Sequence, residues 1–423
     1  MKNLYLETAR PQISAPALAG DSQADVVIVG GGYSGLSTAL HLAEQGAKAV
    51  VLEAGDIGHG CSGRNGGQIN PGLKLLPDAV ETHFGTERGQ RMNRLASEAP
   101  AFVFDLVARH GIDCAAVNSG TIRAAIDRAG LQQVHDLVAQ ATARGWPIRF
   151  ADRAEMAAMT GCGIYLGGAV DARGGHLNPL GYARGLGLAA QKAGAVLHGQ
   201  SAALSLRRAG AGWRVETAAG SVTAPELLIC TNGYTGDLWP GMRQALVPIY
   251  TYIAATDPLP EALRAQIMPC GAALYEAAWD VIYYRIDDAG RLLMGGRGAQ
   301  RDARGPADYR HLVDYAVKLW PALKGVDFPW TWHGQVAVTP DHFPHLVRPA
   351  EGVRLLFGYN GRGVALSSIA GKLTADHILS GGKVDISLPV EDKLTRFAFH
   401  PFWRIGAETT MAWHGMLDRL RGR

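Results

Sequence analysis

Asp25-Val-Val-Ile-Val-Gly-Gly-Gly-Tyr-Ser-Gly35 is the stretch that decides the fold, and Glu53, just after Ala49-Val-Val-Leu52, completes it. Val26–Val29 is an apolar run too short for a helix, so it reads as a buried strand. It feeds directly into Gly30, Gly32 and Gly35, the G-x-G-x-x-G spacing of a dinucleotide-binding turn. The first glycine permits the tight turn, the second lets backbone approach a pyrophosphate, and the third lets the following helix sit close against the strand. That helix is marked by Leu36, Ala39, Leu40 and Ala43 at i, i+3, i+4 and i+7, and Gly46 stops it. Its N-terminus, with Tyr33 and Ser34, faces the phosphates. Glu53, followed by Ala54, is placed to accept from the adenosine ribose hydroxyls and to repel a 2′-phosphate, which selects FAD or NAD over NADP.

A chain of 423 residues, 47% hydrophobic, exceeds the size at which one core stops growing, so two interwoven domains are expected. The net charge of +3 comes without a run of five like charges, which argues against a nucleic-acid surface. Five cysteines with no C-x-x-C pair argue against a zinc or disulfide framework and suit a reducing compartment. No window approaches the 18 uninterrupted apolar residues of a membrane span, and residues 1–10 lack the apolar core of a signal peptide. The expected location is the cytoplasm.

Beyond the opening unit, residues 58–68 form a glycine-rich loop, Gly58-His-Gly-Cys-Ser-Gly-Arg-Asn-Gly-Gly-Gln68. Residues 87–160 turn helical in pattern, with Met92, Leu95, Ala96, Ala99, Phe102, Val103 and Leu106 on one stripe. Residues 245–340 are strand-rich, with Leu246–Ala255, Asp280–Ile286 and Arg291–Gly295 between turns. Leu355-Leu-Phe357 then leads into Gly358-Tyr-Asn-Gly-Arg-Gly363 and a further helix with Leu366, Ile369, Ala370 and Leu373. The predicted class is α/β: a Rossmann-like FAD-binding domain assembled from both ends of the chain, with an inserted α+β substrate domain. The expected boundaries are 24–75, 165–243 and 345–390 for the first, and 76–164 and 244–344 for the second. Residues 1–23 form an extended surface arm and 391–423 a C-terminal extension.

The loop at 58–68 favours flavin over nicotinamide, because a bulky tricyclic ring needs backbone beside it where side chains would clash. Gly185-Leu-Gly-Leu-Ala-Ala190 follows no apolar strand and reads as helix interior, and Gly295-Gly-Arg-Gly298 reads as a strand end. No second nucleotide site stands out, so electrons pass to oxygen or another carrier.

At Cys61-Ser-Gly-Arg-Asn-Gly-Gly-Gln68 the chain resembles the FAD-dependent amine and amino-acid oxidase family of D-amino-acid oxidase, glycine oxidase and sarcosine oxidase. Within it the string is most similar to the γ-glutamylputrescine oxidoreductase subgroup, which often has histidine in the place of Arg362. The resemblance spans nearly the whole chain, through Gly174-Gly-His-Leu-Asn-Pro179, Thr231-Asn-Gly-Tyr234, Tyr283-Tyr-Arg285, Trp332-His-Gly334 and Gly358-Tyr-Asn-Gly-Arg-Gly-Val364. It implies FAD contacts from Ser62, Arg64, Asn65, Gly66, Gly67 and Gln68 along the ring. It implies further contacts from Thr231, Asn232 and Gly233, and from Gly358, Asn360, Gly361, Arg362, Gly363 and Val364 at the pyrimidine edge. A helix opening at Val364 independently turns its positive end toward that edge, where with Arg362 it would offset the anion of reduced flavin.

Substrate contacts are expected from the inserted half, where Tyr250, Tyr252, Tyr283, Tyr284, Trp330, Trp332 and His333 accompany Arg285 and Arg297. Aromatic faces for an amine and arginine for a carboxylate suit an N-substituted or ω-amino acid derivative. His333, Arg362, Tyr284 and Arg285 are the expected catalytic set, with a structural histidine as the other reading of His333. The reading is a small-molecule amine oxidised by hydride transfer to flavin N5, with FAD held non-covalently, no metal, and O2 reduced to H2O2. The alternatives are a dehydrogenase feeding a quinone or partner protein, and a flavin-binding subunit without turnover.

Overall fold

A computed structural model describes residues 2–278 and 281–420, and its seven-stranded sheet is threaded by segments from both halves of the chain. In spatial order the strands are Val390–Glu391, His345–Ala350, Val353–Phe357, Glu226–Ile229, Val26–Val29, Ala49–Leu52 and Val196–His198. Five of them, from Val353–Phe357 to Val196–His198, are parallel neighbours. Such strands are covered on both faces and read as continuous apolar runs, as Val26–Val29 and Ala49–Leu52 do.

The helix Tyr33–Glu44 packs on this sheet against Gly363–Leu379 and Pro179–Ala193. Gly371 permits the first contact: a Cβ there would meet the Ser34 carbonyl at 2.7 Å. The helix Thr86–His110 lies in the same core, with Met92, Leu95, Ala96, Ala99, Val103 and Leu106 buried beside Leu366 and Ala370. Its stripe was expected in the inserted domain; the structure instead folds it back to cover the nucleotide-binding helices.

The second domain is built on an eight-stranded sheet. Its order is Trp330–Val338, Val247–Ala255, Leu292–Arg297, Tyr283–Ile286, Ala273–Glu276, Thr121–Ala125, Gly167–Asp171, Ile148–Asp152. Thr121–Ala125 and Ile148–Asp152 are strands inside the stretch expected to be helical, and Gly167–Asp171 joins this sheet rather than the nucleotide-binding one. The expected strand Asp280–Ile286 is described over Tyr283–Ile286, and Asp280 itself lies outside the described residues.

Residues 2–8, expected within an extended surface arm, are instead anchored on the second domain's sheet. Lys2 bridges to Thr331, and Leu4–Thr8 is a short helix whose Leu4 and Tyr5 are buried. The Tyr5 ring meets Trp332 edge-on at 5.0 Å. Gly20–Gln23 then pairs in parallel with Gly220–Ala224 in a four-stranded sheet. Among the described residues no helix is long and apolar enough to cross a membrane.

Candidate active site

Between the two sheets runs a continuous cavity of about 1910 Å³. One end begins at the turn after Val26–Val29. Gly30 sits at φ +115°, and a Cβ on Gly35 would fall 2.0 Å from the Gly30 carbonyl, so turn and helix close on each other with no room for a side chain. Gly32, the helix N-cap, has no side chain to satisfy the first amides. Ser62 does so from another segment: its Oγ accepts from the Tyr33 N–H at 3.0 Å. Glu53 accepts from the Gly31 N–H at 2.7 Å and the Gly55 N–H at 2.9 Å, and its carboxylate retains lone pairs for further donors. Gly30, Gly32, Tyr33, Ser34, Glu53, Ala54 and Ser62 all line the cavity; Gly35 supports it from behind.

The glycine-rich loop follows. Asn65 fastens it from within, donating to the Cys61 carbonyl at 3.0 Å and the Tyr33 hydroxyl at 3.2 Å, and accepting from the Gly67 N–H at 2.8 Å. The glycines here answer to protein neighbours: a Cβ on Gly66 would meet the Tyr283 ring at 2.6 Å, and one on Gly67 the Leu177 carbonyl at 2.2 Å. Arg285, 3% exposed, clamps this loop, donating from Nε to the Gly66 carbonyl at 2.7 Å and from Nη2 to the Leu177 carbonyl at 3.0 Å. It lies beneath the loop and not on the cavity surface, so the structure does not offer it to a substrate carboxylate. Arg64, Asn65, Gly66 and Gln68 line the cavity, whereas Gly67 is covered. Cys61 also faces it, and enclosure pushes its thiol up to about 11. A thiol so hard to ionise is a poor nucleophile.

At the far end two turns lock together. Asn232 accepts from the Gly358 N–H at 3.0 Å, while Asn360 accepts from the Thr339 N–H at 3.0 Å and donates to the Thr339 hydroxyl at 3.1 Å. Thr231, Asn232, Asn360, Gly361, Arg362, Gly363 and Val364 line the cavity; Gly233 and Gly358 pack behind, against Gln335 and Thr339. Arg362 caps the helix Gly363–Leu379 and reaches across to the second domain. Its Nη2 donates to the Tyr275 hydroxyl at 3.1 Å, and its guanidinium carbon lies 4.8 Å from the ring centre.

Strand alternation decides the rest. Across the eight-stranded sheet, Gly334 pairs with Thr251 and Thr251 with Arg297; Gly295 pairs with Tyr283, Tyr283 with Tyr275, and Tyr275 with Arg123. Thr251, Arg297, Tyr283, Tyr275 and Arg123 line the cavity. The neighbouring positions face away. Tyr284 is fully buried, its hydroxyl 2.6 Å from that of Tyr165. His333 sits beside the Tyr252 ring with Nε2 3.0 Å from Asp302. Neither is brought to the cavity; both are on the opposite face of the sheet, with Tyr250 and Tyr252.

The sequence reading named Arg297 and Arg362 but missed the two cations beside them, Lys74 and Arg123. Lys74, Arg123, Arg297 and Arg362 line one chamber. Enclosure, with Arg362, Arg123 and Arg297 nearby, pushes the Lys74 ammonium down to about 8. Burial also lowers Arg123 and, with Lys74 adjacent, His342. No spacing motif links these positions: strand register sets Arg123 and Arg297 on one sheet face, and Lys74 and Arg362 reach the same cavity from outside that sheet.

The cavity fits FAD. It exceeds the roughly 300–1,000 Å³ of an ordinary small-molecule pocket, two long helices point their N-termini into it, and Arg362 Nη1 is buried without a partner. Strand-turn-helix, ribose acid and a separate substrate wall together define the class of dinucleotide-dependent flavoprotein oxidoreductases. The chain belongs to the DAO family, FAD dependent oxidoreductase, whose model matches residues 25–377. It is 32% identical to a probable oxidoreductase OrdL of Rhizobium meliloti (strain 1021), over 96% of this chain and 94% of that one. It is 32% identical to γ-glutamylputrescine oxidoreductase of Escherichia coli (strain K12), over 83% of each. The fold matches glycine oxidase from Geobacillus kaustophilus with a TM-score of 0.74 at 22% identity, over 89% of this chain and all of that one.

Proposed function

We propose that this FAD-dependent enzyme oxidises the C–N bond of an amine or N-substituted amino acid to an imine, with FAD held non-covalently and O2 as the electron acceptor. The observation that carries it is the shared chamber: the helix N-terminus at Arg362 and the cationic, tyrosine-bearing sheet face border one space. Bound flavin supplies a two-electron acceptor for a hydride and passes the electrons on to oxygen. The protein's part is position. Ser62, Asn65 and Asn360 hold the three turns that frame the cofactor, Arg362 and the helix dipole favour negative charge at the pyrimidine edge, and the sheet wall orients the donor carbon. The γ-glutamylputrescine oxidoreductase relative supports an amine as substrate. Five cysteines, all free, support a reducing cytoplasm.

The test is an anaerobic flavin-reduction screen with polyamines, γ-glutamyl amines, N-methyl amino acids and D-amino acids, repeated under air with peroxide detection. We expect one class to bleach the flavin, with peroxide formed in step with turnover and FAD released by acid. No bleaching by any amine overturns the reading; bleaching without peroxide assigns the electrons to another carrier.

A further inference from the structure

We propose that the substrate carries two carboxylates, and that Lys74 and Arg123, beside Arg297 and Arg362, form the pole that receives them. This deepens the reading above and rests on it for the amine.

The argument is a charge count. Among the described residues Lys74, Arg123 and Arg362 have no carboxylate partner: Arg123 donates to Gln133 at 2.6 Å, and Arg362 to the Tyr275 hydroxyl. Among the described residues the two acids that line the same chamber are committed elsewhere. Asp127 caps a helix by accepting from the Gly130 N–H at 2.7 Å, and Glu276 accepts from the hydroxyls of Tyr315 at 2.7 Å and Tyr165 at 3.1 Å. Lys74 is exposed to the cavity and Arg123, Arg297 and Arg362 are half-buried in its wall, and like charges gathered so closely repel one another unless an anion joins them. The cofactor answers for one at most. Its pyrophosphate belongs at the Gly30–Gly32 turn, on the other sheet, and only Arg362 stands at a helix N-terminus facing the pyrimidine edge. A substrate with one carboxylate leaves a cation unmatched, and a polyamine adds to the repulsion. An amine bearing two carboxylates balances Lys74 and Arg123, with the Tyr275 hydroxyl and Arg297 on the same sheet face as further donors.

Isothermal titration calorimetry of the FAD-loaded enzyme tests this without turnover. The probes are malonate, succinate and glutarate against propionate, butyrate and valerate, with putrescine as the cation. At least one diacid is expected to bind about tenfold or more tightly than the monoacid of equal length, and putrescine is expected not to bind. Lys74→Met and Arg123→Gln should each bring that ratio toward one. Equal affinities for diacid and monoacid, no diacid binding, or putrescine binding overturns the proposal in the wild-type protein alone, whatever the variants do. A ratio intact in both folded variants removes these residues from it. Because binding is read directly, a failed amine screen and a failed titration are distinguishable results.

Discussion

Tyr284 and Arg285 are consecutive and were both expected at the substrate, yet one is buried on the far face and the other works beneath the flavin loop. Arg285 matches two backbone carbonyls with one planar guanidinium, a geometry lysine cannot reproduce. Arg285→Lys is therefore expected to cost about 1–3 kcal/mol through carbonyls left without donors. Melting temperature and FAD retention should fall, while carboxylate affinity measured on the loaded fraction should stay unchanged. A loss confined to carboxylate binding would return Arg285 to the substrate. Lys74 makes a contrasting prediction. Its ammonium, lowered to about 8, is the form that attracts an anion, so diacid affinity should fall as pH rises through 8, by at most about tenfold per unit. His342, shifted downward, is already neutral there, so the slope belongs to Lys74. Lys74→Met should flatten this slope, which calorimetry at pH 7 and pH 9 would show.

Elements differed in how plainly the sequence announced them. The strand, turn and helix from Val26 to Glu44 are specified by local sequence; Gly35 answers to the Gly30 carbonyl within the turn, and Gly30 and Gly31 to the ends of the adjoining strands, while Gly32 meets Ser62 of the glycine-rich loop. Thr121–Ala125 was unreadable because its five residues acquire strand character only by pairing with Ala273–Glu276 and Gly167–Asp171, far along the chain. Alternation could be seen at Tyr283, Tyr284 and Arg285, but not which face of the sheet would meet the cavity. His345–Ala350 also escaped notice, and its pairing is secured by an ion cluster around a buried histidine. His345 lies between Asp341 at 3.0 Å and Glu391 at 2.6 Å. Burial opposes its charge, but the two acids prevail and raise it to about 9. A histidine raised on folding stabilises fully below its unfolded value, and that contribution is lost as pH climbs through the folded one. Stability should therefore decline between about pH 6.5 and 9, by up to ~3 kcal/mol. Chemical denaturation across that range should show the decline in wild type and a flatter curve in His345→Gln.

At the scale of the whole molecule, fold class and cofactor were legible because both reside in one contiguous motif. The substrate chamber was legible only in part: Arg297 and Arg362 could be named, but Lys74 and Arg123 come from other segments, and the neighbourhood of the four exists only once both domains have closed. The sheet itself has the same dependence on distant parts. Val353–Phe357, which pairs with Glu226–Ile229 and carries the turn to Arg362, lies roughly 330 residues beyond Val26–Val29. On a ribosome adding about 5–20 residues per second, Glu226–Ile229 waits roughly 6–25 s before that partner emerges. During this interval the edge of Glu226–Ile229 is unpaired and the pyrimidine end of the cofactor cleft does not yet exist. Flavin is therefore captured late in synthesis, and nascent chains stand exposed to chaperones and proteases for most of their translation.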